Sequence, residues 1–208
     1  MESSVFKSYN FLVLTVIDCE YSLCNKLLLN YIETIRSGKY MINLEDIDYG
    51  KIYKGEPRPG GAFLDKFMIW EPHSLKIKTA FLPNYSDGMY TFIYNFCKIY
   101  HLSATSIRLS NNAKDKHCFS LNLFDFTNNK TTERVIYNIK ENKRWVFYDK
   151  GPIQPFEDVE NYQTRFISKR FDRRILLEYL NRLNIQIENN DFWQSKDNKA
   201  FYFERLKW

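Results

Sequence analysis

The sequence predicts an α+β fold: a single domain over residues 1–208, built on a largely antiparallel sheet with a C-terminal β-meander and packed by about three helices. Three observations lead there. A short, β-branched apolar run at Phe11–Ile17 reads as a strand buried on both faces. Further stretches carry apolar residues at helical spacing, and between 105 and 148 the period switches to two. A chain of 208 residues can bury one sizeable core, and only 7 Gly and 6 Pro favour regular elements joined by short loops. No linker, internal repeat or low-complexity tract divides it.

After the first strand, Cys24, Leu27, Leu28, Tyr31 and Ile35 fall on one helical face, with Ser22 as N-cap and Gly38 as the stop. Residues 41–62 predict an exposed loop. Glu45, Asp46 and Asp48 form an acidic knot, followed by the breaker-rich Glu56-Pro57-Arg58-Pro59-Gly60-Gly61. Gly60-Gly61 lacks the following Lys-Ser/Thr of a phosphate cradle, which favours an ordinary loop. Residues 63–70 and 75–82 predict two strands. Asp87 then suits the cap of a helix whose stripe is Met89, Phe92, Ile93, Phe96 and Tyr100. Lys98 and His101 complement the dipole at its end, and the aromatic stripe is expected to pack in the core rather than line a ligand cavity.

The period-two region predicts an antiparallel meander of three or four strands with one solvated face. Ile107 and Leu109 begin it. Phe119, Leu121 and Leu123 alternate with Ser120 and Asn122, then Val135, Tyr137 and Ile139 with Arg134, Asn138 and Lys140. Glu141-Asn142-Lys143 turns the chain into a strand at 145–148, and Gly151-Pro152 ends the meander. Residues 155–158 look like a turn into a short helix. Residues 162–168 fit either period, with Tyr162 and Phe166 common to both patterns and Phe166 expected in the core. The last helix is the best marked. Asp172 is its N-cap, Phe171 can staple onto Leu176, the stripe is Leu176, Tyr179, Leu180 and Leu183, and Asn184 is a left-handed stop. Together the helices are expected to cover one face of the sheet.

That helix carries a local misfit. Arg173 and Arg174 occupy its first turn, where the dipole disfavours a cation by about 0.3–1 kcal/mol. With Arg165, Lys169 and Arg170, and against Asp172, they leave a net charge of +4 over residues 165–174. Such a segment either meets an acidic partner or is a solvated face offset by Glu157, Asp158 or Glu160.

The net charge of +5 is modest and falls short of a nucleic-acid footprint. Cys19, Cys24, Cys97 and Cys118 show no C-x-x-C pairing, and His73, His101 and His117 add no ligand spacing. Buried reduced thiols, no metal and no cofactor are expected. FLVLTVI is far shorter than the ~20 residues that span a bilayer, and no basic leader precedes it, so a soluble cytoplasmic chain without membrane contact is expected. Asp18 and Glu20 end the first strand, and Asp125, Asp149 and His117 lie near strand ends. None has a spacing that chemistry requires. No catalytic residue is assigned, and an enzyme with an unrecognised active site, hydrolase or nuclease-like, stands as the alternative. Weak nucleic-acid binding by residues 165–174 is a further alternative, set back because Phe171 is needed as the staple and Phe166 in the core.

The run FLPNYSDGMYTFIY, followed by RWVFYDKGPIQPFED and RFISKRFDRRILLEYLNRL, resembles bacterial proteins of the toxin-immunity kind over the last two-thirds of the chain. The shared motifs are structural ones, a cap, a turn and a capped helix. The resemblance implies a small cytosolic α+β protein-interaction module that binds and neutralises a partner toxin, and it carries over no functional residue. Two surfaces compete for that partner. A basic toxin suits Glu45, Asp46 and Asp48; an acidic one suits Arg165, Lys169, Arg170, Arg173 and Arg174.

Overall fold

In the computed structural model, which describes residues 2–36, 38–60, 63–111, 117–128 and 131–207, the predicted first strand lies at the centre of the sheet. This strand, β1 (Phe11–Ile17), is buried at every position. The others are β2 (Lys39–Asp46), β3 (Lys66–Trp70), β4 (Thr79–Pro83), β5 (Ser103–Ser110), β6 (Cys118–Asp125), β7 (Thr132–Glu141), β8 (Arg144–Lys150) and β9 (Lys199–Lys207). They form one 9-stranded sheet in the order β2-β9-β3-β4-β1-β5-β6-β7-β8, and all pairings are antiparallel. The α+β class and the meander, β5 to β8, are as the sequence predicts.

Helices lie on both faces of the sheet, not on one. On one face α2 (Tyr21–Thr34) and α3 (Tyr90–Ile99) pack Cys24, Leu28, Tyr31, Phe92, Ile93 and Phe96 against Ile17, Phe67, Phe81 and Phe203. On the other, α1 (Ser4–Ser8) and α4 (Arg173–Arg182) pack Phe6, Leu176, Tyr179 and Leu180 against Leu12, Leu14, Val16 and Leu121. Strands β5 and β6 are therefore buried on both sides for most of their length. Alternation within one strand shows its two faces but not what covers each, so it does not predict the second layer.

Several local expectations shift. Glu20, not Ser22, caps α2, its carboxylate accepting from the amides of Ser22 and Leu23, both at 3.0 Å. The helix ends at Thr34, so Ile35 falls outside the stripe and is exposed. Asp87 does not cap α3; its carboxylate bends the chain by accepting from the Met89 amide, and Met89 is the N-cap in a left-handed conformation.

Residues 41–62 are not simply an exposed loop. Their first part belongs to β2, Ile52 and Tyr53 are buried, and the Tyr53 hydroxyl accepts from the Val13 amide of β1. Gly61, half of the Gly60-Gly61 pair, lies outside the described residues. Strands β3 and β4 are shorter than 63–70 and 75–82. The stretch 162–168, which fits either period, is neither strand nor α-helix: it runs from the end of one 3-10 turn, Val159–Gln163, through irregular residues 164–166 into a second, Ile167–Lys169. The chain beyond Asn184, where the sequence predicts no element, adds a 3-10 turn at Asn190–Trp193 and then β9, which inserts between β2 and β3.

The last helix is as predicted. Asp172 accepts from the Ile175 amide at 3.1 Å, Phe171 and Leu176 are buried, and Asn184 is left-handed. Its buried apolar residues, at about 1.5–3 kcal/mol each, hold it on the sheet.

Candidate functional site

A cleft of about 750 Å³ opens between α4 and the outer meander. Phe119 of β6 and Trp145 of β8 form one wall. Their rings are nearly parallel, 6.3 Å apart and inclined by 8°, and the His117 ring lies 5.7 Å from Trp145. The other wall comes from Ser168 and Lys169, from Asp172, and from Arg173, Arg174, Leu177 and Glu178 of α4. Sheet register explains the aromatic wall: Phe119 faces Asn138 of β7, and Lys140 of β7 faces Trp145, so both rings project from the same face.

The basic segment divides into roles. Arg173 is a tie. It donates to Asn111 at 3.1 Å, to Glu2 at 2.7 Å and to Glu188 at 3.3 Å, and its guanidinium lies over Phe6. Carboxylates from both ends of the chain thus offset the apparent dipole misfit. Arg174 pairs with Glu178, one turn along, at 3.2 Å, and its side chain is 70% exposed; Lys169 stands 3.9 Å from Asp172 and is similarly open. Exposed pairs of this kind add little stability, which leaves both cations available to a partner. Arg170 does not line the cleft. It donates to the Thr164 carbonyl and lies over Phe147. Arg165 is exposed nearby, also outside the cleft.

Phe166 corrects an expectation. It is 67% exposed rather than in the core, and Ile167 beside it is exposed too. The cause is main-chain capture: the Asn138 side chain donates to the Ile167 carbonyl at 2.7 Å, and this fixes the 3-10 turn against β7 and β8 with Phe166 on the outside. Neither period could show this, since the turn has its own.

Behind this segment is a buried ionic cluster. Arg134 of β7 donates from Nε and Nη2 to the two oxygens of Glu157, at 2.8 and 2.6 Å, and from Nη1 to Asp149 at 3.0 Å. Glu157 also accepts from the Tyr162 hydroxyl and the Gln154 amide, both at 2.8 Å. Burial alone would lower the Arg134 pKa, but the bonds to Glu157 and Asp149 outweigh it and hold the guanidinium firmly protonated. Burial, then hydrogen bonding to Tyr179 and Glu157, keeps the Tyr162 phenol protonated as well. Arg182 completes the anchoring by donating to the Phe156 carbonyl at 2.7 Å and to Asp158 at 2.8 Å.

The acidic candidates lie at the other end of the sheet. Glu45 pairs with Lys51, and Asp46 with Lys199 at 2.7 Å, while Asp48 accepts from the Gly50 amide. Eight strand spacings separate β2 from β8, roughly 38 Å at the usual interval. The two sets cannot form one site. Of the carboxylates near strand ends, Asp18 binds Ser103 and Lys78, Asp125 caps the Thr127 turn, and Asp149 serves Arg134. His117 alone among those candidates lines the cleft.

All four cysteines are buried and free. Hydrogen bonding from Cys24 lowers the Cys19 thiol pKa against the effect of burial. Among the described residues no group of three or more His, Cys, Asp or Glu is placed to hold a metal ion, and no helix is long and apolar enough to cross a membrane. Searches against family models, curated proteins and solved structures return no match for this chain.

Proposed function

We propose that the protein is a protein-interaction module that docks an acidic partner surface on the rim of the cleft between α4 and the outer meander. The observation that carries this is Phe166, a large apolar side chain held out in solvent by a turn whose main chain is pinned. Beside it in the chain are Arg165, Ile167 and Lys169; Arg174 lines the same wall of the cleft as Lys169, and Trp145 the opposite one. Aromatic and arginine side chains supply most binding energy in protein interfaces, and exposed cations steer an acidic partner. The 165–174 segment is favoured over Glu45, Asp46 and Asp48: Phe63, which shares a cleft with Lys51, the partner of Glu45, is 43% exposed and covered by Arg58, against 67% for Phe166. A cytosolic inhibitor of the toxin-immunity kind is the specific form of this reading that the resemblance supports.

The exposure of Phe166 also favours a second reading, in which a nucleic-acid base stacks there and phosphates meet the cations. Three carboxylates on the same cleft, Asp172, Glu178 and Glu188, weigh against it: a phosphate chain is negative at every unit and must meet them, whereas a protein can set its acidic groups against Arg165, Lys169 and Arg174 and place donors opposite the carboxylates. The test is purification from the native host of the wild-type chain beside Phe166→Ala and Arg174→Glu. A single protein recovered with the wild type and lost with both variants supports protein docking. A nucleic acid recovered instead, with binding that falls steeply as salt rises, transfers the site to the second reading. A partner retained equally by all three chains places the interface elsewhere.

A further inference from the structure

Strand β2 ends the sheet. Its inner side pairs with β9, and among the described residues no strand continues the ladder on its outer side. A free edge offers a row of unpaired N–H and C=O groups, and proteins commonly blunt such edges with proline, bulges or inconvenient charge. The segment KYMINLED has no Pro or Gly, and its one register shift lies at its start, between Lys39 and Tyr40. Two apolar side chains stand open along it, Met41 at 43% and Leu44 at 54% exposure.

We propose that this edge binds a second copy of the same chain, β2 against β2, extending one sheet across a twofold axis. The sequence of the strand is what selects that occupant. A twofold perpendicular to a sheet keeps each face on its own side, so facing residues must belong to the same face and their numbers must sum to an even value. With the axis at Ile42, Lys39 of each copy faces Glu45 of the other, Tyr40 faces Leu44, and Met41 faces Asn43. Ile42 meets its own counterpart. The twofold thus yields two opposite-charge pairs and one continuous apolar row of Tyr40, Ile42 and Leu44. Moving the axis to Asn43 sets Met41 against Glu45, and moving it to Met41 sets Lys39 against Asn43. Both lose the charge pairs. Lys51, now bonded to Glu45, lies on the same chain and can share that carboxylate with the incoming lysine.

At β8, where among the described residues no strand continues the ladder either, the register that pairs the whole strand is centred on Phe147 and places Arg144 of each copy against Lys150 of the other, two like-charge pairs. Full-length self-pairing is thus disfavoured at that end of the sheet. This inference does not depend on the function proposed for the cleft.

Sedimentation equilibrium of the purified chain over a range of concentrations tests it. A monomer–dimer equilibrium is expected. Lys39→Glu or Glu45→Lys alone converts two attractive pairs into repulsive ones and raises the dimer dissociation constant roughly tenfold. The double variant Lys39→Glu/Glu45→Lys restores wild-type association. Ile42→Cys, at the axis, forms an intermolecular disulfide under mild oxidation, whereas the four native thiols are buried. A chain that stays monomeric at every concentration overturns the proposal. So does a dimer indifferent to these charge changes and not crosslinked through position 42, or a foreign strand found on β2 in place of the second copy.

Discussion

Replacing Glu157 by alanine tests the anchoring of the candidate surface. In the folded chain the Glu157 carboxylate accepts four hydrogen bonds, two from Arg134, one from Tyr162 and one from the Gln154 amide. The side chains of Glu157 and Arg134 are 0% and 1% exposed. Glu157→Ala therefore leaves a buried guanidinium with one carboxylate, Asp149 at 3.0 Å, itself partly in solvent. Breaking a buried ion pair from one side costs about 3–5 kcal/mol, and the surviving Asp149 contact puts this case near the lower end, about 3 kcal/mol. That is a large share of the roughly 5–15 kcal/mol that holds a typical domain. Urea unfolding followed by tyrosine and tryptophan fluorescence gives the difference by linear extrapolation, with an unchanged slope showing that the denatured state is comparable. Arg134→Met/Glu157→Leu removes both charges and is expected to cost less than Glu157→Ala alone. A loss under about 1 kcal/mol for Glu157→Ala, or a double variant worse than the single one, refutes the view that this pair pins residues 151–163 to the meander.

Other outcomes follow from single contacts. Gly151→Ala places a Cβ 1.9 Å from the Glu133 carbonyl oxygen at a φ of +95°, so a loss of about 3 kcal/mol or more is expected in thermal unfolding; near-wild-type stability contradicts the tight crossing. Asp172→Ala removes the cap on Ile175 and should cost about 1 kcal/mol in urea unfolding, with no loss arguing that the tertiary contacts of Arg173 alone set the start of α4. The Ser22 hydroxyl, then the amides of Ser22 and Leu23, hold the Glu20 carboxyl below the usual glutamate range. A lowered folded-state pKa stabilises above the unfolded value, near about 4, and that contribution is lost as the pH falls through the folded value. Glu20→Gln should therefore be less stable than wild type at neutral pH and equal to it in acid. A difference that persists unchanged into acid contradicts the carboxylate cap.

What could be read from the sequence follows the range of the interactions. β1, α3, the meander and α4 were legible because their signals are local: a β-branched run, a helical stripe, period-two alternation, a cap with a staple. β2 was hidden by the acidic residues at its end and the breakers that follow. β9 was hidden because its partners, β2 and β3, lie more than 130 residues earlier in the chain. The charged candidates divide the same way. Arg174 and Lys169 have the exposure their spacing suggests, whereas the carboxylates that pair with Arg173, Glu2 and Glu188, come from distant segments that local spacing does not show. Phe166 follows neither period, because it is the extended residue that precedes the 3-10 turn at Ile167–Lys169. The aromatic wall of the cleft depends on register between strands, which alternation within each strand does not specify.

The most direct measurement of the central claim is the affinity of the partner recovered from the host for Phe166→Ala, alongside the stability of that variant. Phe166 is mostly in solvent, so its truncation should change unfolding stability by no more than about 0.5 kcal/mol. Binding should weaken by about 2 kcal/mol, close to thirtyfold, if the ring is an interface anchor. Partner affinity equal to that of the wild-type chain, in a variant of unchanged stability, contradicts docking at this rim.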